Sequence, residues 1–136
     1  MWPDFLHHIS LHFAIVLPMV MAAVGAYILA QKTESLDSLF RIGAWTTLIA
    51  TTVAVATGLA SAGLSGGPDH LEHHRYLGIL TFSVVALATL AFEIGHRHQI
   101  DDLRKFGLAA WWIASLSVVG TGHFGGLAEH LDLVPF

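Results

Sequence analysis

Four long stretches without charged side chains divide the chain, and short polar segments separate them. A membrane-spanning helix needs about 20 consecutive apolar residues, and lipid offers no hydrogen-bond partner to backbone groups. The pattern therefore predicts an all-α fold, an integral membrane four-helix bundle in a single transmembrane domain (residues 1–136). The predicted helices lie near residues 5–30, 39–63, 70–95 and 105–128. The third stretch is the shortest, and it spans only if Arg75 and Glu93 snorkel toward the headgroups.

The composition agrees with a membrane protein. The chain is 54% hydrophobic and 12% charged, whereas soluble domains are about 25% charged. Its net charge of −4 gives no basic surface for nucleic acid, so we expect no nucleic-acid partner. The absence of cysteine excludes disulfides, thiolate metal sites and covalent c-type haem attachment. The 10 histidines are the remaining candidates for chemistry.

Lysine and arginine are concentrated between helices 1 and 2 and between helices 3 and 4. The positive-inside rule places these segments inside, so we expect a bacterial inner (cytoplasmic) membrane protein with both termini periplasmic. Most of the histidines then lie at the outer ends of helices 1, 3 and 4. They are His7, His8, His12, His70, His73, His74, His123 and His130. His96 and His98 fall in the inner connection, where we expect solvated side chains.

Imidazoles on facing bundle helices are the usual axial ligands of b-type haem. By depth, His12 and His123 are the first candidates and His74 and His130 the next, enough for one or two haems (heme b), with the pairing left open. His7 lies in the same region. Iron with two axial histidines has no open position, which predicts electron transfer rather than stand-alone catalysis.

Other residues near the predicted haem suit the same interpretation. Gly122, Gly125 and Gly126 remove side chains where a porphyrin could approach. Arg75 could donate to a haem propionate, and the alternative is an arginine that snorkels at the membrane interface.

Two alternatives to a haem protein stay open. The first is a histidine-ligated copper or zinc membrane protein, although the His-Glu-x-x-His pattern is absent from the chain. The second is a structural subunit of a larger respiratory complex. A visible absorption spectrum separates these classes, since only haem gives a Soret band.

Three segments resemble the DUF2231 family of small four-helix bacterial membrane proteins. Residues 7–15 resemble its first helix, His74-Arg75-Tyr76-Leu77-Gly78 opens its third, and Thr121-Gly122-His123-Phe124-Gly125-Gly126 through His130 ends its fourth. His8 and Ala14 depart from the family, where proline is common. The resemblance covers essentially the whole chain and implies a redox-associated membrane protein, often beside c-type cytochrome domains. Position by position it selects the histidines His7, His12, His74, His123 and His130.

The predicted outer side is acidic, because it contains five carboxylates and only one basic residue, Arg75. Such a surface would attract a basic soluble carrier such as a c-type cytochrome, with Asp69, Glu72 and Asp132 as the contacts. Besides membrane lipid, the predicted partners are therefore a c-type cytochrome and either a second copy in a homo-oligomer or a larger respiratory complex.

Two further patterns concern architecture. Thr57-Gly58 recurs as Thr121-Gly122 and Arg41 as Lys105 at a spacing of 64, and His12 and His74 are 62 apart, which together predict two parallel helical-hairpin repeats. Tryptophan is typical of membrane interfaces, so we expect Trp2, Trp45, Trp111 and Trp112 to act as interfacial anchors.

Overall fold

The computed structural model describes residues 2–62 and 69–131, and the side chains of 2–6, 8, 61–62, 69–71 and 124–131 lie outside that description. The described residues form four helices, as the hydrophobic pattern predicted. They are α1 (Trp2–Gln31), α2 (Asp37–Ala62), α3 (Asp69–Arg97) and α4 (Asp101–Leu131). The largest difference from the prediction is the start of α4 at Asp101, one turn earlier than expected.

Three of these helices are long and apolar enough to cross a membrane. The candidate spans are Ile9–Gln31, Asp37–Ala60 and Glu72–Arg97, and α4 is not among them in the described part of the chain. All four helices nevertheless expose large apolar side chains on the outside of the bundle, including Phe13, Ile42, Leu87 and Leu116. The chain is therefore compatible with a multi-pass membrane protein in contact with lipid.

Each helix packs against two neighbours, in the order α1–α2–α3–α4 and back to α1, and α3 and α4 share the most extensive contact. Short turns join α1 to α2 and α3 to α4 at one end, which we call the turn end (residues 32–36 and 98–100). His7 and His74 lie at the opposite end, which we call the histidine end. Because α1 and α3 are not neighbours in this packing order, they lie diagonally across the bundle.

The core is densest toward the turn end. Phe40 packs on Phe92 with ring centroids 4.7 Å apart, and on Trp111 edge-to-face at 6.1 Å. Trp111 is 0% exposed, so the prediction that it anchors the protein at the membrane interface is wrong. Trp45 and Trp112 are exposed, as an interfacial position requires.

Two glycines allow the close approach of α3 and α4. A Cβ at Gly95 would overlap the backbone of Arg104, and a Cβ at Gly107 would overlap the backbone of Phe92. A side chain at either position would therefore push the two helices apart. The sequence analysis had not connected these glycines with helix packing.

The two hairpins repeat the same turn. Lys32 and Gln99 both adopt a left-handed conformation, with φ of 49° and 56°. The next residue in each hairpin donates its amide to a carbonyl five residues earlier, from Thr33 to Ile28 and from Ile100 to Gly95. These are Schellman motifs that end α1 and α3. Equivalent positions lie 67 residues apart, which corrects the spacings of 62 and 64 drawn from the sequence.

Candidate functional site

His74 is held against α4 by a hydrogen bond. Its Nδ1 lies 2.9 Å from the carbonyl oxygen of Thr121, and the ring is half-buried. A carbonyl oxygen only accepts, so Nδ1 carries the proton and, in the neutral ring, Nε2 carries the lone pair. Metal-binding histidines are typically oriented by such a second hydrogen bond. The contact therefore sets His74 in the tautomer that binds a metal through Nε2.

His7 makes the same contact in the other hairpin. Its Nδ1 lies 2.9 Å from the carbonyl oxygen of Ala54 on α2, so His7 also donates through Nδ1. Both residues of this pair precede those of the His74 pair by 67 positions. The imidazole fills the space over Gly58, where an added Cβ would lie 2.7 Å from the Cε1 atom of His7. Glycine at position 58 therefore makes room for the His7 ring rather than for close contact between helix backbones.

His7 and His74 lie on the inward faces of their helices. On α1, His7 is three and seven residues from the buried Ser10 and Ala14. On α3, His74 is seven residues from the buried Thr81 and lies on the same helical stripe. The two histidines therefore occupy inward faces of the diagonal helices α1 and α3 at one end of the bundle.

The pair predicted to be deepest is placed differently. His12 and His123 are both exposed on the outside of the bundle. His12 is two residues from the buried Ser10 and from the buried Ala14, which turns it away from the core. The described chain therefore does not bring these two imidazoles together in the bundle interior.

The remaining predicted site residues are only partly described. Arg75 is half-buried, and its guanidinium carbon lies 5.7 Å from the centroid of the Tyr76 ring. His130, Gly125 and Gly126 belong to α4, but their side-chain surroundings lie outside the described residues. The same holds for Asp69, and Asp132 is beyond the described helix, so Glu72 is the described member of the predicted acidic docking surface.

Open space lies beside His74. A Cβ at Gly78, one turn along the same face of α3, would meet nothing within 4 Å, and the same is true at Gly122 on α4. These glycines differ from Gly95 and Gly107, where close helix packing leaves no room for a side chain. Packing within the described residues therefore does not require glycine at position 78.

Hydroxyl groups connect α3 and α4 one turn further in. The Thr81 hydroxyl donates to Ser117 Oγ at 3.1 Å and lies 3.2 Å from the Thr121 hydroxyl. These contacts fix the α4 segment whose carbonyl accepts from His74. The orientation of the imidazole therefore rests on a hydrogen-bonded interface between two helices.

A second polar cluster lies at the turn end, and it was not predicted from the sequence. Glu93 is only 6% exposed, so its carboxylate lies inside the bundle rather than on its surface. Arg41 binds its carboxylate with two nitrogens at 2.7 Å, Arg97 donates from one turn later, and the Trp45 indole lies at 3.4 Å. Arg41 and Glu93 have opposite charge, and each borders the apolar stretch of a different helix. This pattern was the sequence signal that could have predicted the pair.

Asp37 forms the neighbouring ion pair. Arg104 holds both its carboxylate oxygens at 2.7 Å and also donates to the Thr33 carbonyl at 3.2 Å. The hydrogen bonds from Arg104 to Asp37 raise the pKa of the guanidinium above its ordinary value. His96, expected to be solvated, has its Nδ1 3.3 Å from Asp37 and its ring stacked on Phe92. These contacts join both turns of the bundle.

Within the described residues, no group of three or more histidine or acidic side chains is arranged to hold a metal ion. The copper or zinc alternative therefore gains no support from this part of the chain. A haem with two axial histidines uses only two protein ligands, so a search for groups of three does not bear on it. No protein-family model, no curated protein and no solved structure matches the chain.

Proposed function

We propose that this chain is a membrane-embedded b-type haem protein that carries electrons, with a haem at the histidine end. The observation that carries the proposal is the hydrogen bond from His74 to the Thr121 carbonyl, with open space over Gly78 beside it. An imidazole fixed through Nδ1 presents Nε2 as a ligand, and a missing side chain one turn away admits a flat ring.

His7 is the second ligand in this proposal. It has the same Nδ1 contact to a neighbouring helix and faces inward from the diagonal helix α1. His12 and His123 are exposed on the outside of the bundle, so they do not face inward. When bound, a haem with two axial histidines supplies a reversible one-electron couple without an open coordination position. The protein orients the two imidazoles through the carbonyls of Ala54 and Thr121.

The charge distribution supports an orientation for this site. The basic residues of the turn end favour its cytoplasmic placement, which puts the histidine end on the periplasmic side of a bacterial inner membrane. A haem there would be within reach of a soluble partner. We retain a c-type cytochrome as the proposed partner, with Glu72 as a described member of the acidic contact surface.

An absorption spectrum of the full chain, produced with haem supply and purified in detergent, tests the proposal. We expect a Soret band that shifts on reduction with dithionite. H74A and H7A should each lose most of the bound haem, because each removes an axial ligand. H73A is the matched control, since it removes an exposed imidazole next to His74.

Two further variants separate haem binding from folding and from the other pair. G78L fills the open space beside His74, so it should reduce haem content while the helical circular dichroism stays unchanged. Colourless wild-type protein would refute the haem proposal. Loss of the band in H12A/H123A, with full retention in H7A and H74A, would instead assign the haem to the exposed pair.

A further inference from the structure

The Glu93 cluster at the turn end contains more positive than negative charge. Two arginines surround one carboxylate, and its oxygens accept from Arg41, from Arg97 and from the Trp45 indole. A carboxylate has about four lone-pair positions, so Glu93 is saturated. Across the described ranges, Arg41 and Arg97 form no ion pair with any other acid. The cluster therefore keeps a net positive charge.

The surplus charge faces outward. The side chains of Arg41 and Arg97 are 41% and 61% exposed, whereas Glu93 is 7% exposed. Each guanidinium has five N–H donors, and Glu93 occupies only some of them. The arginines therefore present unused donors at the surface while Glu93 fixes their position from below.

The cluster lies near the ends of two candidate membrane spans. Arg97 is the last residue of its candidate membrane span, and Arg41 is one turn inside the start of another. Below Arg41, the outer face of α2 continues with the exposed Trp45, Ile49 and Val53. Tryptophan at this depth is typical of a membrane interface. An anion that binds the arginines would therefore have an apolar surface for acyl chains directly beneath it.

We propose that Arg41 of α2 and Arg97 of α3, both held by Glu93, bind the phosphate of an anionic phospholipid. Guanidinium groups suit this ligand because their planar fork matches phosphate oxygens in pairs. The zwitterionic headgroup of phosphatidylcholine offers the same phosphate with a compensating charge, so the site prefers phosphatidylglycerol. This inference rests on insertion into a bilayer and is independent of the haem.

Native mass spectrometry of the full chain, with equal amounts of phosphatidylglycerol and phosphatidylcholine, tests the site. We expect retained phosphatidylglycerol to exceed phosphatidylcholine by about fivefold or more, since one basic residue near an anionic surface contributes roughly that factor. R97Q should abolish the preference while Arg41 still neutralises Glu93. K105Q removes the same charge at the same end, where Lys105 pairs with Asp101, and should retain the preference.

Several outcomes would overturn this site. They are equal retention of the two lipids by the wild type, equal loss in R97Q and K105Q, or displacement of the lipid by millimolar inorganic phosphate alone, which would indicate a soluble anion site. If R97Q loses its helical circular dichroism, the lipid preference of R97K is measured instead. Lysine keeps the charge but lacks the fork, so an undiminished preference in R97K would also contradict the proposal.

Discussion

At the scale of single residues, the buried charges have the largest consequences. The side chain of Asp37 is 3% exposed and that of Arg104 is 11% exposed, and the two are joined by two hydrogen bonds. Moving charges out of water is costly, so such a pair adds little net stability but leaves a large penalty when one partner is removed. The paired state is therefore strongly required by the fold.

We predict that D37N destabilises the protein by about 3–5 kcal/mol, because it leaves Arg104 without its carboxylate. Unfolding of the full chain in detergent micelles, followed by circular dichroism, measures the change. D101N is the control, since Asp101 is 61% exposed and its pairs should contribute about 0–1 kcal/mol. Similar losses in both variants would show that the Asp37 pair is not special.

The histidines show what a sequence can and cannot reveal at this scale. Residue spacing grouped His7, His12, His74 and His123 at one end, because helix length fixes their depth. It did not reveal which of them face inward, since nearly every position is apolar and the usual contrast between core and surface is missing. The hydrogen bonds from His7 and His74 to carbonyls of neighbouring helices depend on rotation of each helix, which only packing determines.

At the scale of elements, helix bounds followed from the charge pattern, whereas the closest helix contact did not. The lengths of the apolar stretches indicated four helices because lipid excludes other backbone structures. The approach of α3 and α4 depends on Gly95 and Gly107, which sit among many other small residues. Small residues also lie on exposed positions of α2, including Ala56, so composition alone did not identify the packed face.

We predict that G107A destabilises the bundle by roughly 1–3 kcal/mol, because its Cβ would overlap the Phe92 backbone. G122A is the matched control, since a Cβ there meets nothing within 4 Å. Alanine is a better helix former than glycine, so G122A should be neutral or stabilising by up to about 1 kcal/mol. The same unfolding experiment compares them, and equal effects would contradict the packing argument.

At the scale of the whole molecule, the two hairpins repeat at a spacing of 67. The left-handed turn residues and the two histidine–carbonyl contacts follow this spacing. The sequence indicated a repeat but gave the wrong spacing, because it matched short identical pairs such as Thr-Gly. Most positions 67 residues apart carry different side chains, and His7 and His74 are an exception.

The orientation of the whole molecule is open to a direct measurement, because the chain contains no cysteine. We predict that Q99C, in the turn end, reacts with a membrane-impermeant maleimide only after bacterial cells are permeabilised. A cysteine at the histidine end, H73C, should react in intact cells, since His73 is exposed. The reverse pattern would place the turn end outside and contradict the positive-inside argument.

One arginine joins three elements at the turn end. Arg104 of α4 holds the first turn through Thr33 and the start of α2 through Asp37, so separating these elements would strand a buried carboxylate. At the other end, the half-buried rings of His7 and His74 each donate to a backbone carbonyl of a neighbouring helix. Loss of the Asp37–Arg104 pair would therefore loosen α4, the first turn and the start of α2 together.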